Sequence, residues 1–166
     1  MILKQKMLFS KEECESIISY NDTYITNWVM DNRKYNSQPI NYSLDTKWLF
    51  DKLKDFVERE TTIRIRTIKK TAHFHKFTKG DWFGKHNDIR ENRLYAVGVL
   101  LNDDFEGGDF KLYNPNEIIL NKVIGNTYIF DVRIDHEITP ILKGERFSLL
   151  WFLQNDNVKI PTITLI

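Results

Sequence analysis

Residues 93 to 101, Arg93-Leu94-Tyr95-Ala96-Val97-Gly98-Val99-Leu100-Leu101, offer no polar face once past the leading arginine. Read with a two-residue period, Tyr95, Val97, Val99 and Leu101 fall on one side, and Leu94, Ala96, Gly98 and Leu100 on the other. Such a strand is buried on both faces, so each face needs an apolar cover. One side then looks into a sandwich or barrel interior, and the other lies under helices.

The helices are found near the N-terminus. Ser10-Lys11-Glu12-Glu13 is a capping box, and it predicts a helix to about Tyr20 with Cys14, Ile17 and Ile18 turned inward. A second helix is predicted from Asp45 to Glu58, with Trp48, Leu49, Leu53, Phe56 and Val57 on one face. Residues 21–43, rich in Asn, Asp and Ser, read as a long, partly ordered loop with a short strand near Tyr24–Val29. After Glu60 the period becomes two: Ile63 and Ile65 oppose Arg64 and Arg66, and His73, His75 and Phe77 oppose Phe74 and Lys76. Gly80 and Gly84 mark a loop that carries Trp82 and Phe83 toward His86. Further strands are predicted at Phe110–Tyr113, Glu117–Leu120, Thr127–Phe130, Asp135–Thr139 and Arg146–Leu153, punctuated by turn residues.

Two helices followed by about eight short strands predict a mainly β fold, a two-sheet sandwich or distorted barrel with the helices packed on one sheet. A doubly wound fold is disfavoured because no helical stretch separates the later strands. The 166 residues read as one domain, with a helical part over 1–60 and a β core over 61–155.

A formal net charge of +1 provides no field to attract nucleic acid, and none is expected as a partner. Cys14 is the single cysteine, so neither an intrachain disulfide nor a thiolate metal site can form. The opening residues lack the apolar core of a signal peptide, and no stretch is long and apolar enough to span a membrane. A soluble, cytoplasmic or otherwise intracellular location is expected. The oligomeric state is not legible.

Chemistry concentrates at His86-Asn87-Asp88, at His136 and at Arg146. Residues two apart in an extended segment point the same way, so His86 and Asp88 can converge on one ion. His136 shares a face with Ile134 and Ile138, where an imidazole needs either a hydrogen-bonding partner or a metal. Two imidazoles and a carboxylate are the ligand set of a non-haem iron(II) facial triad. Arg146, Ser148, Leu150 and Phe152 form one face of the last long strand. A guanidinium carried into a covered space there needs an anion, from a ligand or from a local acid. Trp82 and Phe83 are candidates for substrate contact or core packing, and Arg133 for the site entrance if its strand begins at Ile134. His73 and His75 form a second pair, suited to cavity lining or polar packing.

Taken together, these segments resemble a known family. His86-Asn87-Asp88, Leu100-Leu101-Asn102-Asp103, Glu106-Gly107-Gly108-Asp109-Phe110, Gly125 to Phe130, His136-Glu137-Ile138-Thr139-Pro140 and Gly144-Glu145-Arg146-Phe147-Ser148-Leu149 are similar to the 2-oxoglutarate/iron(II)-dependent dioxygenases. The prolyl 4-hydroxylase-like branch is the one they resemble most. The resemblance implies a double-stranded β-helix, or jelly roll. It implies His86, Asp88 and His136 as the iron ligands and catalytic centre, with Arg146 and Ser148 binding the cosubstrate 2-oxoglutarate. Molecular oxygen is the other cosubstrate and ascorbate a supporting reductant. The implied reaction couples oxidative decarboxylation of 2-oxoglutarate to C–H hydroxylation, here of a prolyl residue in a peptide or protein recognised by residues 21–43 and 78–92. The alternatives are the same chemistry on a free amino acid, another side chain or a small metabolite, and a non-catalytic jelly-roll binding module. Phe77 and Leu100 stand where many relatives carry a tyrosine near the cosubstrate. Arg146 and Ser148 then act alone, or a hydroxyl comes from Tyr95, Thr127 or Tyr128, of which parity disfavours Tyr95.

Overall fold

A computed structural model describes residues 3–21, 26–90 and 92–159. The N-terminal part supplies β1 (Leu3–Met7), α1 (Lys11–Asn21), β2 (Thr26–Met30), β3 (Arg33–Asn41) and α2 (Lys47–Glu60). β4 (Arg64–Ile65), β5 (Thr71–Phe77), β6 (Trp82–His86), β7 (Arg93–Leu100), β8 (Glu106–Gly107), β9 (Phe110–Tyr113) and β10 (Glu117–Ile119) follow. The chain continues through β11 (Asn126–Asp131), β12 (Asp135–Ile138), β13 (Ile141–Lys143), β14 (Arg146–Gln154) and β15 (Val158–Lys159).

Hydrogen bonds join the strands in the order β1-β11-β7-β14-β5-β3-β6-β12-β9-β10, with β2 added to β3. The sheet curls over on itself, so that Phe110, Leu112 and Ile138 from one wall meet Ala96, Leu100, Tyr128, Phe130 and Phe152 from the other. This is the jelly-roll form of a double-stranded β-helix. The opposite face of β5, β7, β11 and β14 carries Phe74, Val97, Val99, Ile129, Leu149, Trp151 and Leu153 into a second core with α1 and α2. β7, between β11 and β14, contributes to both cores, as its two apolar rows require.

The capping box forms: Ser10 Oγ accepts from the Glu13 N–H at 3.1 Å, and Glu13 Oε1 accepts from the Ser10 N–H at 3.0 Å. Glu13 also accepts from Lys52 Nζ at 2.7 Å, which ties α1 to α2. In α2 the buried stripe is Leu49, Phe50, Leu53, Phe56 and Val57, whereas Trp48 is 39% exposed at its edge. Among the described residues no helix is long and apolar enough to cross a membrane.

Several strands depart from the expectation, the two-residue β8 and β15 and the short β13 among them. β1 forms an edge, pairing with β11 from Leu3↔Phe130 to Met7↔Asn126; its lysines and glutamine suit an exposed edge and hide the strand from a hydrophobicity pattern. Residues 33–41 are a nine-residue strand rather than loop. β3 pairs with β5 over Asn36–Asn41 and with β6 at Arg33 and Lys34, so backbone pairing stabilises a segment of polar composition. Of the short strand expected near Tyr24–Val29, Tyr24 and Ile25 lie outside the described residues, and Thr26–Met30 is β2. Trp82 and Phe83 sit in β6, not in a loop.

One row across the sheet prepares the interior. The register aligns Ser37 with His75, His75 with Ser148 and Ser148 with Leu100, so these side chains lie side by side. Burial, then His73 and Arg146, push the His75 imidazole down to about 3. In the unfolded chain it titrates at its ordinary value of 6.5. Between those values the unfolded chain binds a proton that the folded protein refuses. Stability from this residue is therefore complete above about pH 6.5 and declines as pH falls toward 3. The slope cannot exceed ~1.4 kcal/mol per pH unit, the value for a difference of one bound proton. Urea unfolding at pH 7 and pH 5 should show this loss, and His75→Gln should flatten it. Equal slopes in the two proteins would remove His75 as the source.

Candidate metal centre and its cavity

Antiparallel pairing of β6 with β12 places His136 directly opposite His86, with ring centroids 4.3 Å apart. Asp88 lies just past the end of β6, where its backbone N–H donates to the Val132 carbonyl at 3.0 Å. That bond returns the chain toward the start of β12. One ligand atom from each of His86, Asp88 and His136 lies within 4.8 Å of the others, and no other such trio of His, Cys, Asp or Glu occurs among the described residues.

The imidazoles are oriented by their own strands. His86 Nδ1 lies 2.7 Å from the Gly84 carbonyl and His136 Nδ1 lies 2.9 Å from the Ile134 carbonyl. A carbonyl only accepts, so each Nδ1 carries the proton and each Nε2 is left with a lone pair. These Nε2 atoms face Asp88, at 3.7 Å from Oδ1 for His86 and 3.2 Å from Oδ2 for His136. Asp88 Oδ2 is buried and has no hydrogen-bond partner. Lone pairs converging on a carboxylate repel one another until a proton or a cation enters. Burial above all lowers the His86 pKa and favours its neutral form. Burial works to raise the Asp88 pKa, but His136, His86 and Arg93 outweigh it, and the net shift is downward. A neutral imidazole and an ionised carboxylate are the states a metal takes.

Aromatic rings enclose this group. Phe83 stacks on His86 at 3.7 Å and 11°, and Phe130 meets His136 edge-on at 4.9 Å. They restrict ring rotation and exclude water from the far sides of both imidazoles.

Arg146, 2% exposed, opens β14. Its Nε donates to the Gly108 carbonyl at 3.1 Å and its Nη1 to Ser148 Oγ at 3.0 Å. Among the described residues no carboxylate lies within ion-pair distance of it, so the local acid weighed from the sequence is not there. Burial works against its charge, while the Tyr128 hydroxyl beside it favours it. Neighbouring motifs hold the strand start: Asn102 accepts from the Phe147 N–H at 2.7 Å and donates to the Glu145 carbonyl at 2.7 Å. Tyr128 reaches this spot because Gly98, its cross-strand partner, has no side chain. A Cβ there would lie 2.3 Å from the tyrosine ring and 2.4 Å from its hydroxyl. Of the alternative donors, Thr127 is fully buried and bonds the Gly125 carbonyl at 3.2 Å, and Tyr95 packs on the helix-side core.

A cavity of about 260 Å³ joins the trio to Ser148 and Tyr128, whereas Arg146 stands behind those two and borders a separate small pocket with Asp109 and Phe110. His86, Asp88, His136, Ser148, Tyr128, His73, His75 and Phe83 line it. Trp82 is absent from its wall. Arg133, expected at the entrance, instead turns to solvent and grips Asp131 with two bonds, Nε to Oδ1 at 2.9 Å and Nη2 to Oδ2 at 2.5 Å. β12 begins at Asp135, so Arg133 is off the strand as the expectation required, but its pairing with Asp131 holds it at the surface. Lining residues that the sequence reading did not single out are Tyr35 and Ser37 of β3 and the arginines Arg33, Arg90 and Arg93. Treating residues 21–43 as loop concealed the first two, although Tyr35 and Ser37 share strand parity.

No curated protein sequence matches this chain. Its fold is similar to that of a Pseudomonas putida prolyl-4-hydroxylase, at 16% identity and a TM-score of 0.73, over 92% of each chain. A Trichoplax adhaerens prolyl hydroxylase solved with a hypoxia inducible factor oxygen degradation domain peptide fragment gives 18% identity and 0.74, over 93% of this chain and 84% of that one. The viral collagen prolyl hydroxylase of Paramecium Bursaria Chlorella virus-1, solved with 2-oxoglutarate, gives 15% identity and 0.67, over 92% and 95%. At such identities the likeness is one of fold. The family model for the 2OG-Fe(II) oxygenase superfamily matches residues 72–154, which is half of the chain and spans His86, Asp88, His136 and Arg146. The chain therefore belongs to the 2OG-Fe(II) oxygenase superfamily, whose cofactors are iron(II) and 2-oxoglutarate.

Proposed function

We propose that the protein is a 2-oxoglutarate-dependent hydroxylase acting on prolyl residues of a peptide or protein. His86, Asp88 and His136 hold the iron, and Arg146 anchors the distal carboxylate of 2-oxoglutarate with Ser148 and Tyr128. The observation that carries this reading is the pairing of two opposite needs in one interior. Two imidazole lone pairs and an unpartnered carboxylate oxygen converge where a metal ion would relieve them, and a buried guanidinium without a carboxylate partner sits behind Ser148 and Tyr128. The prolyl substrate rests on fold likeness to prolyl hydroxylases, one of them solved with a peptide.

When bound, iron and 2-oxoglutarate supply oxidative decarboxylation: oxygen, 2-oxoglutarate and a substrate C–H become succinate, carbon dioxide and a C–OH. The chain's own residues do the placing. The Gly84 and Ile134 carbonyls fix the imidazole tautomers, so both Nε2 atoms keep their lone pairs for the metal. Phe83, Phe110 and Phe130 keep the interior apolar around them. Ser148 accepts from Arg146, which holds the guanidinium plane and leaves its remaining N–H groups for a carboxylate.

A proline-containing peptide library incubated with the full chain, iron(II), 2-oxoglutarate and oxygen should yield products heavier by one oxygen, with succinate in equal amount. No product and no 2-oxoglutarate binding by the iron-loaded protein would favour a non-catalytic module. His86→Ala and Asp88→Ala should each abolish iron-dependent succinate formation with the thermal unfolding midpoint little changed; retained turnover would remove the trio from the mechanism. Arg146→Ala should weaken 2-oxoglutarate binding by about 100-fold, as loss of a buried charged partner costs about 2–5 kcal/mol. Tyr128→Phe should weaken it by roughly tenfold, the cost of one hydrogen bond to a charged group. Calorimetric titration with 2-oxoglutarate in the absence of oxygen checks both, and an unchanged Tyr128→Phe affinity would leave the anchor to Arg146 and Ser148.

A further inference from the structure

We propose that the cavity mouth selects a substrate carrying a carboxylate close to the reacting C–H, held by Arg33, Arg90 and Arg93. This rests on the reading of the trio as an iron site, since only then does the cavity receive a substrate. The three arginines come from β3, from the segment after Asp88 and from the start of β7, and all line the same cavity. Two of them lie over aromatic rings of its wall. The Arg93 guanidinium carbon lies 3.7 Å from the Phe152 ring centroid, and that of Arg33 lies 5.2 Å from the Phe83 centroid. Stacking of this kind holds the guanidinium in place and leaves its N–H edges free to donate.

Those donors lack anionic partners. Arg33 directs Nε and Nη2 to the Met30 sulfur, at 3.2 and 2.7 Å, and a thioether is a weak acceptor. Among the described residues no carboxylate lies within ion-pair distance of Arg33, Arg90 or Arg93. Arg133 and Arg59 do pair with acids, Asp131 and Asp55, while Arg64 bonds backbone carbonyls instead. The one acid in the cavity wall is Asp88, which belongs to the metal trio. Iron brings two positive charges and 2-oxoglutarate two negative ones, so loading the site leaves the three arginines uncompensated. In a chain of net charge +1 this is a local concentration of positive charge at the point where a substrate enters. A carboxylate satisfies it, from an acidic side chain or chain terminus beside the target residue or from the target's own α-carboxylate.

The test uses the full chain with iron(II) and 2-oxoglutarate in the absence of oxygen, titrated calorimetrically with matched acid and amide probes. One pair is N-acetyl-L-proline and N-acetyl-L-prolinamide; the other is acetyl-prolyl-glutamate amide and acetyl-prolyl-glutamine amide. The acid of at least one pair should bind at least tenfold more tightly than its neutral partner, and the pair that does so identifies the source of the carboxylate. R93Q and R33Q should each reduce that preference, and the triple variant R33Q/R90Q/R93Q should erase it. Equal affinities within both pairs, no binding by any probe, or a preference that survives the triple variant would each overturn the proposal. 2-Oxoglutarate affinity, titrated on the same wild-type samples, separates the two readings. Intact cosubstrate binding without acid preference sinks the arginine proposal alone, whereas absent cosubstrate binding sinks the iron-site reading beneath it.

Discussion

The register between β6 and β12 is the constraint on which the rest of the centre depends. Strand pairing allows only discrete offsets, and a slip of one residue would turn an imidazole to the other face of the sheet. With His86 opposite His136, the two rings are neighbours before any ligand arrives, and Asp88 needs only the bond to Val132 to join them. Within each segment the carbonyl two residues back, of Gly84 and of Ile134, lies under Nδ1, so the register settles position and the local backbone settles orientation. Phe83 and Phe130 can stack on the rings only because those rings are already fixed.

β14 carries the corresponding constraint for the opposite charge. Its outward row, Phe147, Leu149, Trp151 and Leu153, packs with α1 and α2, while Arg146 and Ser148 point inward from the same strand. A guanidinium buried without a counter-ion costs several kcal/mol, and the Gly108 carbonyl and Ser148 hydroxyl offset only part of it. The helix-side core supplies the stability that makes this tolerable. An anion that binds Arg146 in the folded chain alone adds to that stability by mass action. Helices far from the cavity thus bear on how strained its floor can be.

The features legible in the sequence are those enforced by periodicity or by fixed motif spacing. β7, with two apolar rows, had to lie between layers, and the capping box marked the start of α1. His86, Asp88, His136 and Arg146 were visible because their residue types are costly to bury without purpose. β1 and β3 were not legible, since backbone pairing rather than apolar content makes them strands. Tyr35, Ser37, Arg33, Arg90 and Arg93 escaped for a related reason: their convergence depends on which strands curl together, and spacing along the chain does not encode it. Arg133 was misplaced because its pairing with Asp131, two residues back in the turn, is not fixed by strand parity.

The contact of Tyr128 with the floor of the cavity has a consequence for how such chains are compared. The tyrosines expected from the resemblance at positions 77 and 100 are missing, yet a phenolic hydroxyl occupies the neighbourhood of Arg146, delivered from β11 across the gap left by Gly98. A column-by-column reading would score this pocket as stripped of its donor. In space a phenolic hydroxyl stands beside Arg146 all the same, carried on β11 and admitted by the glycine facing it. A side chain at position 98 would therefore displace this hydroxyl as surely as a change at Tyr128 itself, although Gly98 touches no ligand.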